Sequence, residues 1–268
     1  CEGVVTAEET YKDLEMTATT EGTLKVFLTE LNSNPVEVLK MERELLKDRG
    51  FTDEELGSWE ITLDEKENQD WSKKWKEKWT VTHVTDRVAI VPSWIEYTPK
   101  ENEVTINIDP GCAFGTGTHQ TTQLCMKALE KYLSAGDKVA DIGTGSGILA
   151  IYAMKLGAGS AFGCDNDETV IDVCRKNAQI NNVKCDFELI TADKLTEKYD
   201  FVCANILHNV LAEIMGDLKN IMNDNAKMSL SGILDEKKPV VLDAIEREGL
   251  KIIDTISQDQ WISFVVQK

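Results

Sequence analysis

The chain has 268 residues, of which 42% are hydrophobic and 28% charged, and its formal net charge is −18. This length predicts one large domain or two ordinary domains that bury a sizeable core. The negative charge argues against general nucleic-acid binding, which requires neutralisation of phosphates. The apolar runs are shorter than a membrane span and there is no signal-peptide pattern, so we expect a soluble cytoplasmic protein with no membrane partner.

The negative charge is concentrated near the amino terminus. Residues 1–60 hold 15 acidic and 6 basic side chains. Such a segment attracts a basic partner protein, although it can also serve solubility alone. The sequence carries no pattern that specifies an oligomeric state.

The cysteines are an odd number, seven, and none forms a C-x-x-C pair. Cys164, Cys185 and Cys203 lie in or beside predicted buried strands. We therefore predict reduced thiols in the core rather than disulfides or metal ligands.

The first predicted domain covers residues 1–66 and has the order strand, strand, helix, strand. Its strands contain Val4-Val5, Thr23–Leu28 and Trp59–Leu63, and its helix runs from a cap at Asn34 through Pro35 to about Arg49, where Gly50 ends it. This order matches the last two-thirds of a ferredoxin-like fold. Because the chain begins with Cys1 rather than Met, we expect that a leading strand and helix are missing or were never part of this domain.

Residues 67–80 are predicted to form a helix that links the two domains. Trp71, Trp75 and Trp79 recur at a spacing of four and therefore share one helix face. Such tryptophans can stack on bases, but burial between two domains is the favoured interpretation. The intervening lysines would then form the solvated side.

The second predicted domain covers residues 81–268 and opens with short strands interrupted by prolines. A polar loop follows at Asp109–Thr122, with three glycines and four threonines. It precedes a helix predicted over Gln123–Tyr132, with Thr121 or Thr122 as its cap. The length of this loop and its position upstream of a glycine-rich turn indicate that the loop forms a lid.

The glycine-rich turn D-I-G-T-G-S-G, Asp141–Gly147, lies between a predicted strand and a predicted helix. This arrangement is typical of a nucleotide site at the carboxyl edge of a parallel sheet. The next strand ends at Asp165, about 20 residues on, where a carboxylate can accept hydrogen bonds from ribose hydroxyls. Dehydrogenases usually have G-x-G-x-x-G. The pattern here is G-x-G-x-G after Asp141, which suits a cationic ligand without phosphate, such as S-adenosylmethionine, better than a pyrophosphate.

Strands and helices continue to alternate after Asp165. Strands are predicted at Asp186–Ile190, Tyr199–Asn205 and Lys227–Leu230, helices at Glu168–Ile180, after Leu207 and at Asp235–Glu248, and a last pair of strands at Leu250–Ile256 and Gln260–Val266. Alternation predicts a parallel sheet with helices on both faces. The last two strands, with no helix between them, predict an antiparallel hairpin at one edge.

Several segments resemble the methyltransferases of large-subunit ribosomal protein eleven, the PrmA family. They are D-P-G-C-A-F-G-T-G-T-H-Q-T-T, D-I-G-T-G-S-G-I-L-A-I, G-C-D-N-D and A-N-I-L, together with D-W-S-K-K-W and V-P-S-W. The resemblance runs from about Asp70 to the end and is weak before it. It implies a Rossmann-like, seven-stranded class I S-adenosylmethionine-dependent methyltransferase domain with a small α+β, partial ferredoxin-like, amino-terminal domain for substrate recognition. It further implies methyl transfer to lysine or amino-terminal amines of a basic ribosomal protein.

The resemblance also implies roles for individual residues. Thr122 contacts the cofactor, Gly143 lies against its methionine part, and Asp165 binds its ribose. Asn205 lies beside the transferable methyl group and is the expected catalytic residue. The remaining cofactor-binding residues are Asp141, Gly145, Asp193 beside the adenine amine, and Phe114, Gly115 and Gly117 in the lid. Methyl transfer from a sulfonium is an in-line displacement, and it needs a neutral amine rather than a metal or a nucleophilic side chain.

The sequence departs from the family at Gln120, where proline is usual, at His208, where a small residue is common, and throughout the amino-terminal region. The last departure leaves another protein or small-molecule amine as an alternative substrate, and a non-catalytic S-adenosylmethionine-binding module as an alternative function. Enzymes that methylate adenine or glutamine use N-P-P-Y, and the string from Asn205 to His208 lacks its prolines and aromatic platform. His119 and His208 are interpreted as orienting or packing groups rather than bases.

Overall fold

The computed structural model describes residues 3–6, 24–27, 35–58, 60–61, 79–108 and 115–268. The chain divides into two compact units, Cys1–Trp71 and Ser72–Lys268. Most of the predicted strand at Trp59–Leu63 and most of the predicted helix over 67–80 fall outside the described residues. The domain bounds 1–66, 67–80 and 81–268 therefore stay predictions.

The described residues of the first unit form an antiparallel strand pair and two helices. Strand β1 (Gly3–Thr6) pairs with β2 (Leu24–Phe27), and α1 (Pro35–Asp48) is followed by the short α2 (Asp53–Leu56). The two strands and α1 were predicted, whereas α2 was not. Thr52 begins α2 through a capping box with Glu55, since each residue bonds the other's backbone N–H.

The second unit begins with a three-stranded sheet. Its strands are β3 (Thr82–Thr85), β4 (Val88–Pro92) and β5 (Val104–Ile108), with β4 antiparallel to β3 and parallel to β5. Every residue of β4 is buried. This sheet is therefore part of the core of the second unit.

A seven-stranded sheet and its flanking helices form the rest of the described residues of the second unit. Its elements are α3 (Gln120–Tyr132), β6 (Lys138–Ile142), α4 (Ile148–Lys155), β7 (Ser160–Asp165), α5 (Glu168–Ile180), β8 (Asp186–Leu189), β9 (Tyr199–Asn205), α6 (His208–Asn220), β10 (Met222–Leu234), α7 (Lys238–Arg247), β11 (Lys251–Gln258) and β12 (Trp261–Gln267). The strand order is β11-β12-β10-β9-β6-β7-β8, and only β12 is antiparallel to its neighbours. Both the alternation and the edge hairpin are as predicted.

The strand order reverses between β6 and β9, and this reversal locates the site. From β6 the chain proceeds outward to β7 and β8, whereas from β9 it proceeds the other way to β10. The connections after β6 and β9 therefore leave a crevice at the carboxyl edge of the sheet. Side chains alternate across the sheet, with Val139 in one core cluster and Ala140 and Ile142 in the other.

Three predicted boundaries were wrong. Helix α3 begins at Gln120 rather than Gln123, and its cap is His119 rather than Thr121 or Thr122, because the imidazole Nδ1 accepts the Thr121 N–H. Strand β10 extends well beyond the predicted Lys227–Leu230, since it continues along both β9 and β12. The last predicted helix begins with a 3-10 turn, Asp235–Lys237, before α7.

The cysteines within the described residues are free. Cys164 and Cys203 are buried and Cys185 is partly buried, as the prediction of core thiols requires. Burial raises the pKa of Cys164 to about 12, which keeps this thiol protonated and unreactive. No helix in the described part of the chain is long and apolar enough to cross a membrane.

Candidate active site

Three predicted site residues end neighbouring strands and meet at one edge of the sheet. Ile142 of β6 pairs with Cys164 of β7 on one side and with Ala204 of β9 on the other. Ile142, Cys164 and Ala204 are followed in the sequence by Gly143, Asp165 and Asn205, respectively. These three residues therefore lie just beyond one row of paired residues in the sheet. Sheet register therefore brings together residues more than 60 positions apart in the sequence.

The turn after β6 depends on glycine at Gly143. This residue has φ of 70°, in the left-handed region, and an ideal Cβ built on it would lie 2.4 Å from Cγ2 of Ile206. The N–H groups of Gly143 and Thr144 both donate to the carbonyl of Cys164 at 2.9 Å. The turn is thus fixed to β7 while the residue after Asn205 packs against it.

Asp141 lies beneath this turn and is only 1% exposed. Its Oδ2 accepts hydrogen bonds from Thr144 Oγ1 at 2.8 Å and from the Ala150 N–H, at the start of α4, at 3.3 Å. Burial raises the pKa of the Asp141 carboxyl to about 7, although both hydrogen bonds oppose the shift. Asp141 therefore supports the turn from inside.

Asp165, at the end of β7, is partly exposed and held by two backbone groups. Its Oδ2 accepts from the Gly145 N–H at 3.0 Å, and its Oδ1 accepts from the Asp167 N–H at 3.1 Å. Each carboxylate oxygen has a further lone pair. The carboxylate is thus fixed in orientation and can still accept hydrogen bonds from a ligand.

Asn205 points its side-chain amide at α3. Its Nδ2 donates to Oγ1 of Thr122 at 3.3 Å, and Thr122 is fully buried in the first turn of that helix. Its Oδ1 is buried and has no hydrogen-bond partner among the described residues. An unpaired buried acceptor is costly, which is typical of a group kept for a ligand.

Ser146 joins the turn to the described end of the polar loop. Its Oγ donates to the carbonyl of Gly115 at 2.6 Å, and its side chain is buried. Gly117, two residues on, is also buried, and an ideal Cβ there would lie 2.1 Å from Cδ1 of Ile90. The described end of the loop is therefore tied to the turn and closely packed.

Asn177 on α5 and Asn181, which caps the end of this helix, connect the same turn to β5. Asn177 donates from Nδ2 to the carbonyl of Ser146 at 2.8 Å. Asn181 bonds both backbone groups of Asn107, accepting its N–H at 2.8 Å and donating to its carbonyl at 2.6 Å. Sequence analysis missed these residues. The sequence feature that could have revealed Asn177 is its amide on the buried face of an amphipathic helix.

Comparison with known proteins identifies the chain. The family model for ribosomal protein L11 methyltransferase (PrmA) matches residues 1–268. The chain belongs to this family. As a member it is an S-adenosylmethionine-dependent protein methyltransferase, as the sequence predicted.

Named relatives agree with this assignment to the L11 methyltransferase family. The ribosomal protein L11 methyltransferase of Bacillus licheniformis is 34% identical over 252 residues, which cover 92% of this chain and 81% of that protein. That of Alkaliphilus oremlandii is 37% identical over 233 residues, covering 86% and 74%. A crystal structure of the ribosomal protein L11 methylase from Lactobacillus delbrueckii subsp. bulgaricus has 32% identity and a TM-score of 0.67, covering 70% of this chain and 98% of that one. The predicted class I methyltransferase fold is thereby confirmed.

Asp193 and Phe114 are the remaining predicted cofactor residues of this methyltransferase. Asp193 lies in an exposed 3-10 turn after β8, where it pairs with Lys194 at 2.7 Å and accepts from Thr191 Oγ1 at 2.5 Å. The hydrogen bonds from Lys194 and Thr191 hold the pKa of the Asp193 carboxyl below its usual value. Phe114 falls outside the described residues, so its role in a lid stays a prediction.

His119 and Gln120 make structural contacts next to the site. The ring of His119 packs edge-on against Trp261, with centroids 5.0 Å apart, and its Nδ1 caps α3. Gln120, where the PrmA family usually has proline, donates to Asp259 Oδ2 at 3.2 Å in the turn between β11 and β12. His208 is the partly buried first residue of α6. These contacts agree with an orienting or packing role for His119.

The site residues fit S-adenosylmethionine, the methyl donor of the L11 methyltransferase family. Asp165 has acceptor capacity for hydroxyl groups, and the turn Gly143–Gly147 contains no basic side chain for a pyrophosphate. The buried Asp141 beneath the turn likewise offers no positive charge to a phosphate. These donors and acceptors suit a ligand with a ribose and a positive sulfonium.

Proposed function

We propose that this enzyme methylates amines of ribosomal protein L11, at lysine side chains or at the amino terminus. The names of the relatives support this substrate. The formal net charge of −18 also suits a basic protein and disfavours nucleic acid as a direct partner. The observation that carries the proposal is the buried, unpaired Oδ1 of Asn205 at the edge of the crevice.

The chemical requirement is a neutral amine beside the cofactor. When bound, S-adenosylmethionine supplies an electrophilic methyl group on its sulfonium. A lysine ammonium has a pKa of about 10.4, so loss of its proton at neutral pH costs about 4.6 kcal/mol. A partly desolvated site lowers this cost because it disfavours the charged form.

Asn205 would meet the amine through its side-chain carbonyl. As an acceptor, Oδ1 can take an N–H from the substrate and orient the nitrogen lone pair. Thr122 holds the other end of the amide, which fixes the direction of Oδ1. Catalysis would then depend chiefly on positioning.

The other predicted residues would bind the cofactor. Asp165 would accept the ribose hydroxyls, while Gly143, Gly145 and Thr122 would lie against the methionine part. We further infer that the acidic amino-terminal unit recognises the protein substrate, and that a ribosomal substrate makes the enzyme cytoplasmic.

The test is intact-mass spectrometry of purified L11 after incubation with the enzyme and S-adenosylmethionine. We expect mass increments of whole methyl groups, which peptide mapping assigns to amines. Transfer to another amine but not to L11 would favour the alternative substrate. Cofactor binding with no transfer to any basic ribosomal protein would favour a non-catalytic module.

A further inference from the structure

A dipeptide in β10 lies directly beside Asn205 and has no role in the function described above. Ser231 pairs with Asn205 across the parallel β10–β9 ladder. The pairing of β10 with β12 shifts between Leu230 and Ile233, so Ser231 and Gly232 occupy an irregularity in the strand. Such irregularities are over-represented next to active sites.

Gly232 allows the backbone of β10 to touch the peptide after Asn205. Its φ is 86°, and an ideal Cβ there would lie 2.2 Å from the carbonyl oxygen of Ile206 and 2.9 Å from its carbonyl carbon. The side chain of Ile206 meanwhile packs over Gly143. Ile206 is thus held between β10 and the cofactor turn, with no room for a side chain on either glycine.

Ser231 fixes the helix that orients the Asn205 amide. It is fully buried, and its Oγ donates to the carbonyl of Thr121 at 2.9 Å. The next residue, Thr122, accepts the hydrogen bond from Asn205 Nδ2. Ser231 therefore sets where the first turn of α3 lies relative to β9 and β10.

We propose that Ser231 and Gly232 are positioning residues for the methyl-transfer step. Ser231 acts through Thr121 and Thr122 on the Asn205 side chain, and Gly232 acts on the Ile206 peptide. This proposal rests on the proposed function of Asn205. Both residues act on groups that would also lie against the methionine part of the cofactor, Thr122 and Gly143. Neither residue reaches the carboxylate of Asp165, which would bind the ribose, so their loss should lower turnover much more than cofactor affinity.

Strand β10 offers a matched control two residues earlier. Ser229 is also fully buried and faces α3, with its Oγ 3.5 Å from Cys125 Sγ and 3.5 Å from Ser263 Oγ. Ser229→Ala removes a hydroxyl from the same strand and the same core without touching the helix turn that holds Thr122. Comparing it with Ser231→Ala separates positioning from core stability.

The experiment measures kcat on L11, cofactor Kd by calorimetry, and the thermal midpoint for both serine variants. We expect Ser231→Ala to lower kcat by about tenfold or more while cofactor Kd stays within about twofold. Ser229→Ala should leave both quantities within about twofold. Gly232→Ala, if folded, should lower kcat further, because its Cβ displaces the Ile206 peptide.

Equal kcat for the two serine variants would overturn the inference while leaving the proposed function intact. A loss of cofactor affinity in Ser231→Ala as large as its loss of kcat would also overturn it. If the wild-type enzyme binds cofactor but does not methylate L11 or another amine, the proposed function fails first, and this inference fails with it.

Discussion

Replacing Gly143 by alanine should separate the chemical step from stability. The new Cβ would lie 2.4 Å from Cγ2 of Ile206, whereas ordinary contacts begin at 3.4 Å. Ile206 must therefore move by about 1 Å, and Asn205 is its covalent neighbour. A misplacement of about 1 Å can lower turnover by about 100-fold, or about 2.7 kcal/mol in activation free energy.

The same substitution also carries a backbone cost. Alanine at φ of 70° adopts the left-handed conformation, which costs about 1–2 kcal/mol. Gly136→Ala isolates this cost, since Gly136 has φ of 87° and nothing lies within 4 Å of its ideal Cβ. Gly136 precedes β6, at the edge of the sheet opposite the site.

The assay combines urea unfolding with steady-state kinetics and cofactor binding for both variants. We expect Gly136→Ala to lose about 1–2 kcal/mol of unfolding free energy. Gly143→Ala should lose at least as much, because Ile206 must also move. Only Gly143→Ala should lose about 100-fold in kcat. Wild-type turnover in Gly143→Ala, or an equal loss in Gly136→Ala, would refute the packing of Ile206 on the turn as the cause.

Three further substitutions test the site. Asn205→Ala should lower kcat far more than cofactor affinity, measured by single-turnover kinetics and calorimetry, because its Oδ1 orients the amine. Asp165→Asn should weaken cofactor binding by about 10–100-fold in calorimetry, since charge-assisted hydrogen bonds are lost. Asp141→Asn should become more stable relative to wild type as pH rises. In denaturant titrations the difference in unfolding free energy between the two proteins should change by about 3 kcal/mol from about pH 5 to about pH 8. With its folded pKa raised to about 7, the Asp141 carboxyl contributes stability that is lost as pH rises through that value.

Each of these expectations has a contradicting result. Equal losses of kcat and affinity in Asn205→Ala would remove its orienting role. Unchanged cofactor affinity in Asp165→Asn would place the ribose elsewhere. A difference in stability between Asp141→Asn and wild type that does not change with pH would mean that the carboxyl is not buried in its neutral form.

The parts of the site that sequence alone predicted are those written into local motifs. The glycine turn and Asp165 follow from the strand–turn–helix pattern, and the alternation of elements placed Asn205 at a strand end. Sheet register then brought them together without any further information. The role of Asn205, in contrast, came from resemblance to a family.

The parts that sequence missed depend on contacts between distant residues. Ser231 and Thr121 are 110 positions apart, and Asn181 and Asn107 are 74 apart. Residue type misled at His119, because an imidazole is not a common helix cap, whereas the two threonines after it are. The polar amide of Asn177 on a buried helix face was visible in the sequence but had no partner until the fold supplied Ser146.

The most direct measurement is a crystal structure of the enzyme with S-adenosylhomocysteine. We predict that the ribose hydroxyls lie on the carboxylate of Asp165 and the sulfur lies beside Asn205, in the crevice between β6 and β9. A ribose held by other residues, or the product bound away from this crevice, would contradict this prediction.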